Sequence, residues 1–300
     1  MIRVCGQQIK VTGRLLRIAR LDADKFQFLN GDPEPVIDGL RKCGMRVDLF
    51  TFVQRLPEVT PKFKYPMEWD NFAAISLSTF DEWWMKQLGF KARNKAKQAE
   101  KKGVVLREVS FSDELVKGIW EIYNETPVRQ GRRFPHYGKS LETVYKEEAT
   151  YLDRSVFIGA YLNEKLIGFI KMVIDESGVQ AGLMNIVSLI GERDKAPTNA
   201  LVAQAVRACA DRGVKYLTYS NFSYGKKLKD SLSDFKERNA FQRVEVPRYY
   251  VPLNAVGRAG LQLGLHRKIS ERIPEPVAER LRKLREAWLN RRFQAATEAS

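Results

Sequence analysis

The chain has 300 residues, 44% of them apolar, with 51 Lys and Arg against 36 Asp and Glu, a formal charge of +15. That length buries a sizeable core in two units or one elaborated one, and the charge favours an anionic partner: nucleic acid, a polyphosphate-bearing ligand or an anionic membrane surface. Three scattered cysteines (Cys5, Cys43, Cys209) and two histidines exclude a disulfide framework and a cysteine- or histidine-rich metal site. The first residues lack the apolar stretch of a signal peptide, and no apolar run approaches the roughly 20 residues of a membrane span. A cytoplasmic protein without a metal is expected.

Residues 2–78 read as a small αβ unit. Alternation over 9–21 places strands around Gly13, and Asp32-Pro33-Glu34 starts a short helix that Gly44 ends. Period-two alternation over 46–54 predicts a half-buried strand. Pro57, Pro61 and Pro66 mark a linker, and 72–77 is another strand. The aromatics Phe50, Phe52, Trp69, Phe72, Trp83 and Trp84 are expected in the core of this first unit.

Thr79-Phe80-Asp81-Glu82 has the form of a capping box. The helix it starts should run to Lys102, closed by Gly103, with a second half dominated by Lys91, Arg93, Lys95, Lys97, Lys101 and Lys102. A strand (104–109) and helices (112–125 and 141–151) follow. Between those helices lies a long polar and aromatic loop, 124–138, of the kind that carries function. Three strands come next (155–162, 165–174, 180–190), then the loop 191–199, a helix to Gly213, a strand (215–220), a helix near 228–238 and a last strand (242–253). A basic helical stretch, with Arg280, Arg282, Lys283, Arg285, Arg291 and Arg292, closes the chain. The domain division expected is therefore 1–78, 79–253 and 254–300.

The helix start after the 180–190 strand is a ready anion site, and Arg193 and Lys195 in its loop add charge. In the loop 124–138, Asn124, Arg129, Gln130, Arg132, His136 and Tyr137 are candidates to grip an acceptor carboxylate or phosphate. The bland reading of the same residues is a hydrogen-bonded surface loop. Glu125 is the carboxylate best placed as a base, its alternative being a solvated helix-end acid.

The element order over 104–253 resembles the GNAT acyltransferase superfamily. The resemblance implies an α/β (α+β) fold: a mixed, mostly antiparallel central sheet flanked by helices, here with a smaller N-terminal αβ unit and a basic C-terminal tail. It also implies that strands 180–190 and 215–220 splay apart to admit the donor's pantetheine arm. On that mapping Asn185, Ser188, Arg193, Lys195, Ala196, Thr198, Asn199 and Tyr219 line the donor site, and Tyr224, beside Gly225, is the acid, with Tyr219 as its neighbour. The loop Arg193-Asp194-Lys195-Ala196-Pro197-Thr198 departs from the family's glycine-rich pyrophosphate loop, and Pro197 removes an amide donor. Residues 93–105, a basic helix running into a strand, and Lys195-Ala196-Pro197-Thr198-Asn199-Ala200-Leu201 also resemble the Fem-type peptidyltransferases, which take an amino acid from aminoacyl-tRNA.

Together these imply an N-acyltransferase moving an acyl or aminoacyl group onto an amine acceptor. The donor is either acyl-CoA (acetyl-CoA) or a charged tRNA. The alternative is a non-catalytic module for nucleic acid or an anionic membrane, to which Leu281, Leu284, Trp288 and Phe293 would offer apolar anchors.

Overall fold

A computed structural model describes residues 1–22, 26–29, 31–223 and 231–267, together with Val277, Arg280 and Leu284. The rest of the closing stretch and Tyr224 lie outside the described residues.

Strands β1 (Ile2–Val4), β2 (Gln7–Thr12) and β3 (Ile18–Leu21) precede helix α1 (Glu34–Lys42), then β4 (Leu49–Val53) and β5 (Met67–Ser76). Pro33 and Pro35 fix the backbone at the start of α1, where the missing amides are not needed. A short α2 (Phe80–Glu82) passes into a π-turn (Trp83–Gln87), followed by α3 (Phe90–Lys101), β6 (Val105–Val109) and α4 (Asp113–Tyr123). A small hairpin, β7 (Val128–Arg129) and β8 (Arg132–Arg133), leads to α5 (Leu141–Glu148) and the meander β9 (Ser155–Leu162), β10 (Lys165–Ile174) and β11 (Gln180–Ser188). The chain continues through α6 (Pro197–Asp211), β12 (Tyr216–Thr218), α7 (Ser231–Arg238), β13 (Gln242–Pro252) and α8 (Ala255–Gln262).

All strands but the hairpin join one sheet, in the order β1-β2-β3-β4-β13-β5-β12-β11-β10-β9-β6. Pairing is antiparallel except β3 with β4 and β11 with β12. The mixed, mostly antiparallel sheet with flanking helices is thus the fold class expected from the sequence. The last strand is the suture: β13 pairs with β4 through 248–252 and with β5 through 242–249, so the sheet runs without a break across residue 78.

Both faces of β9 and β10 are covered, which is why these strands read as continuous apolar runs. On one face α3 and α6 pack through Ala92, Ala96, Ala99, Ala200 and Ala203, small side chains that let the helices approach. On the other, Leu115, Ile119, Ile122 and Val144 of α4 and α5 lie on Phe157 and Phe169.

Four sequence expectations are corrected. Strand β4 is buried at every position, not half-buried, because both its faces are packed, Phe50 and Phe52 with Tyr249 on one and Val53 with Phe72 and Val246 on the other. The long helix from Thr79 is broken: Thr79 does cap its start, but Leu88 and Gly89 are extended and α3 begins anew. The π-turn bond from the Leu88 amide to Trp83 O (2.8 Å) is where the first segment ends. Trp83 is buried with α3 and α6 instead of in the first unit, and Trp69 is 55% exposed on β5. Finally, the 124–138 loop contains the β7–β8 hairpin, whose turn residues Gln130 and Gly131 both take positive φ (52° and 67°), as a tight two-residue turn requires.

Candidate functional site

The site begins where two strands part. β11 and β12 pair through Gln180–Tyr216, Ala181–Leu217 and Gly182–Thr218, and no further. Beyond Thr218 the chain follows β5: the Tyr219 amide donates to Ala73 O (2.8 Å) and the Ala73 amide to Ser220 O (2.9 Å). β11 keeps its other edge on β10 as far as Ser188, opposite Gly168. Gly168 allows this close approach, since a Cβ there would lie 2.9 Å from that of Ser188.

The gap opens into a cavity of about 1280 Å³. Its walls are α3, the β7–β8 hairpin, the end of β11, the start of α6 and α7. Lys91, Asn94, Lys95 and Gln98 recur at i, i+3, i+4, i+7 and so share the helical face turned to it. Among the described residues the wall carries Lys91, Lys95, Arg129, Arg132, Arg133, Arg193 and Arg238 and no carboxylate. Arg129 is already paired with Glu125 (2.9 Å), which leaves six cations facing the space.

The structure brings Ser188, Arg193, Ala196, Thr198, Asn199, Tyr219, Arg129, Gln130 and Arg132 together on this wall. The Ser188 and Thr198 hydroxyls hydrogen-bond each other (2.9 Å), and Asn199 Nδ2 donates to Asn239 Oδ1 (3.1 Å). Ala196 takes a left-handed backbone (φ 55°) to turn the chain into α6. Pro197 has no amide, and those of Asn199 and Ala200 point back to Ala196 O, so the first turn of α6 offers little to a pyrophosphate. Lys195 stands off the wall, held by Glu192 (2.7 Å) and Asp194 (3.3 Å), and the Glu192 and Asp194 contacts raise its pKa. Asp194 is itself pinned to α3 by Gln98 and Lys102, fixing the loop.

Glu125 is a staple. Its carboxylate accepts from the Ile190 amide (2.7 Å), the Gly191 amide (3.0 Å) and Arg129 Nη2, tying the end of α4 to the loop after β11. Arg129 also donates to Ser188 O (2.7 Å) and Ile122 O (3.0 Å), and burial lowers its pKa. Asn124 closes the hairpin segment, donating to Trp120 O and accepting from the Gly138 amide. His136 stacks on Tyr123 (4.3 Å), where burial and then Lys139 lower its pKa, and Tyr137 is exposed.

Asn185 lies elsewhere, in a buried polar cluster on the α4–α5 face. Its Nδ2 donates to Glu148 Oε1 (2.7 Å), which also accepts from the Tyr123 hydroxyl (2.9 Å). Lys171, opposite Asn185 on β10, donates to Glu148 O (2.7 Å) and Thr150 Oγ1 (3.0 Å). Burial lowers Lys171 to about 8 against the pull of Glu148. Burial likewise raises the Glu148 carboxyl, with Lys171 opposing, and drives the Tyr123 phenol well above its ordinary value. Sequence reading passed over Glu148 and Lys171. A lysine inside the apolar run of β10 was the available signal.

Among the described residues no group of three or more His, Cys, Asp or Glu is placed to hold a metal ion, and no helix is long and apolar enough to cross a membrane.

No protein-family model and no curated protein matches the chain. Solved structures do. The C-terminal domain of a protein assigned as a lysylphosphatidylglycerol synthetase from Agrobacterium fabrum superposes with a TM-score of 0.57 at 14% identity, covering 88% of this chain and 87% of that one. The structure of L-PGS from Bacillus licheniformis gives 0.55 at 13% identity, over 88% and 85% of the two chains. FemX gives 0.56 at 11%, over 86% of each. The chain has the GNAT-like fold in the form that FemX and these synthetase domains share.

Proposed function

We propose that the protein is a transferase that moves an aminoacyl group onto an amine, and that the donor is a charged tRNA and not an acyl-CoA. The observation that carries this reading is the cavity wall: six cations facing the splayed strands with no carboxylate among the described residues. Such a wall suits a chain of phosphates. Acetyl-CoA would need pyrophosphate held on backbone amides at the start of α6, and Pro197 together with the inward-turned amides of Asn199 and Ala200 supplies few. The resemblance to Fem-type peptidyltransferases supports the same donor.

In the reaction the acceptor amine attacks the ester carbonyl carbon. The C–N bond forms, the bond from that carbon to the ribose oxygen breaks, and the amine proton ends on the released hydroxyl. Catalysis then comes mainly from positioning. Arg129 and Glu125 hold the end of β11 and its loop rigid, and the wall cations fix the donor's phosphates. Arg193, Arg132 and Tyr219 are the proposed donor contacts, and Tyr224 keeps its proposed place as the acid.

The test is transfer itself. Purified protein is incubated with tRNA charged with radiolabelled amino acids and a set of amine acceptors. Label passing from tRNA into an acid-stable amide, and reduced at least about tenfold by Arg193→Ala with Arg132→Ala, is expected. Transfer from acetyl-CoA with none from charged tRNA would overturn the donor assignment.

A further inference from the structure

The polar cluster on the far face of β11 has one unexplained atom. Glu148 is 1% exposed, yet its Oε2 has no hydrogen-bond partner, although Oε1 has two. Burying a carboxylate oxygen unpaired is expensive, and such orphans call for an explanation. Lys171 does not supply it: its ammonium donates to Glu148 O and Thr150 Oγ1 and makes no hydrogen bond to the carboxylate.

The cluster and the cavity are neighbours through the gap. Side chains alternate along β11, so Asn185 and Val187 share one face while Ile186 and Ser188 share the other. Val187 and Ile186, neighbours on β11, both line the cavity. Asn185 is only half-buried, and it sits two residues before Val187, about 7 Å along the strand. Neither Asn185 nor Glu148 lines the cavity itself; a group that passed Val187 from the cationic wall would reach Asn185 and then the Glu148 carboxylate.

Resting on the tRNA-donor reading above, we propose that Glu148 binds the α-ammonium of the amino acid carried by the donor, with Asn185 and Tyr123 holding the carboxylate for it. An ammonium completes the orphaned oxygen and compensates the buried charge. It suits the donor and not the acceptor, because an amine held as an ammonium has no lone pair with which to attack. The site therefore selects an aminoacyl group, with a free amine beside the ester, over a plain acyl group.

The test uses the full chain and three probes: a CCA-ended RNA hairpin carrying an alanyl group through a stable 3′-amide, its N-acetylated form, and the uncharged hairpin. Glu148→Gln keeps an oxygen to accept from Tyr123 and Asn185 while removing the charge. The wild type should bind the ammonium form roughly tenfold more tightly than the acetylated form, as a charge-assisted hydrogen bond implies. Glu148→Gln should bring that ratio near one and leave the uncharged hairpin's affinity unchanged. A wild-type ratio near one, or a ratio that survives in folded Glu148→Gln, would overturn the proposal. If Glu148→Gln does not fold, Asn185→Leu is read instead: it obstructs the approach without touching the charge, and a retained ratio would again overturn it. If no hairpin binds, the donor reading has failed, and the Glu148 site is tested separately by NMR titration with alaninamide against N-acetylalaninamide. Discrimination that depends on Glu148 would sustain the site, and its absence would sink it.

Discussion

Two seams run through the same sheet, and they are built on opposite terms. Where β13 meets β4, pairing runs unbroken from Arg248–Val53 to Pro252–Leu49. Tyr249 fills the space above it, 5.1 Å from the Phe52 ring and 5.2 Å from Phe63, and its hydroxyl joins Gln54 and the Lys62 amide. Where β12 meets β11, pairing stops after three residue pairs and the opening is lined with cations. The first seam spends its residues on stability. The second gives up backbone pairing and packs little into the gap, which is the arrangement a binding site needs.

Breaking the closed seam should have the largest effect on folding. Tyr249 is fully buried, and Tyr249→Ala should cost about 3–5 kcal/mol in urea unfolding, as large-to-small core changes do. A smaller loss would mean that the ring is not the seam's main filler. Next comes Lys171, beneath the open seam. Its ammonium titrates near 10.5 when unfolded and about 8 when folded. Between those values the unfolded chain holds the extra proton, so stability should rise with pH across the window, by on the order of 2–3 kcal/mol, and stay flat in this respect below it. Lys171→Met should remove that slope. A slope that persists would place the titration elsewhere.

Glu125→Ala frees the solvent-accessible Ile190 and Gly191 amides and should cost about 0.5–1.5 kcal/mol, the net worth of a hydrogen bond that water can replace. It should also weaken donor binding, since Arg129 and the loop lose their anchor. Smallest in stability are the wall cations. Lys95→Ala and Arg193→Ala should each change unfolding by less than about 0.5 kcal/mol, typical of surface substitutions. Each should nonetheless reduce the salt dependence of RNA binding by roughly one unit of slope. An unfolding effect as large as that of Glu125→Ala would contradict the view that this seam is built for binding.

The closed seam was poorly legible in the sequence and the open one better. Strand β4 shows period-two alternation, yet its second face is covered too: Val53 packs with Phe72 and with Val246, which arrives some two hundred residues later in the chain. Nothing local announces that. The splay, by contrast, follows from an element order that resembles a known superfamily, and the basic face of α3 follows from helical spacing. The break at Leu88–Gly89 was hidden because a single glycine in a helical pattern is a weak stop signal. Glu148 was missed because an acid near a helix end reads as solvated until α4 and β11 are seen to close over it.

The open seam is proposed to take a donor carried on phosphates. The most direct measurement is the affinity of the full chain for a CCA-ended RNA hairpin at a series of salt concentrations, with CoA titrated in parallel. Hairpin binding whose logarithm falls steeply with the logarithm of salt, with a slope of about −4 for six contacts to single-stranded RNA, is the expected result, with no saturable CoA binding. Saturable CoA binding abolished by Arg193→Ala, with hairpin affinity weak or indifferent to salt, would contradict it.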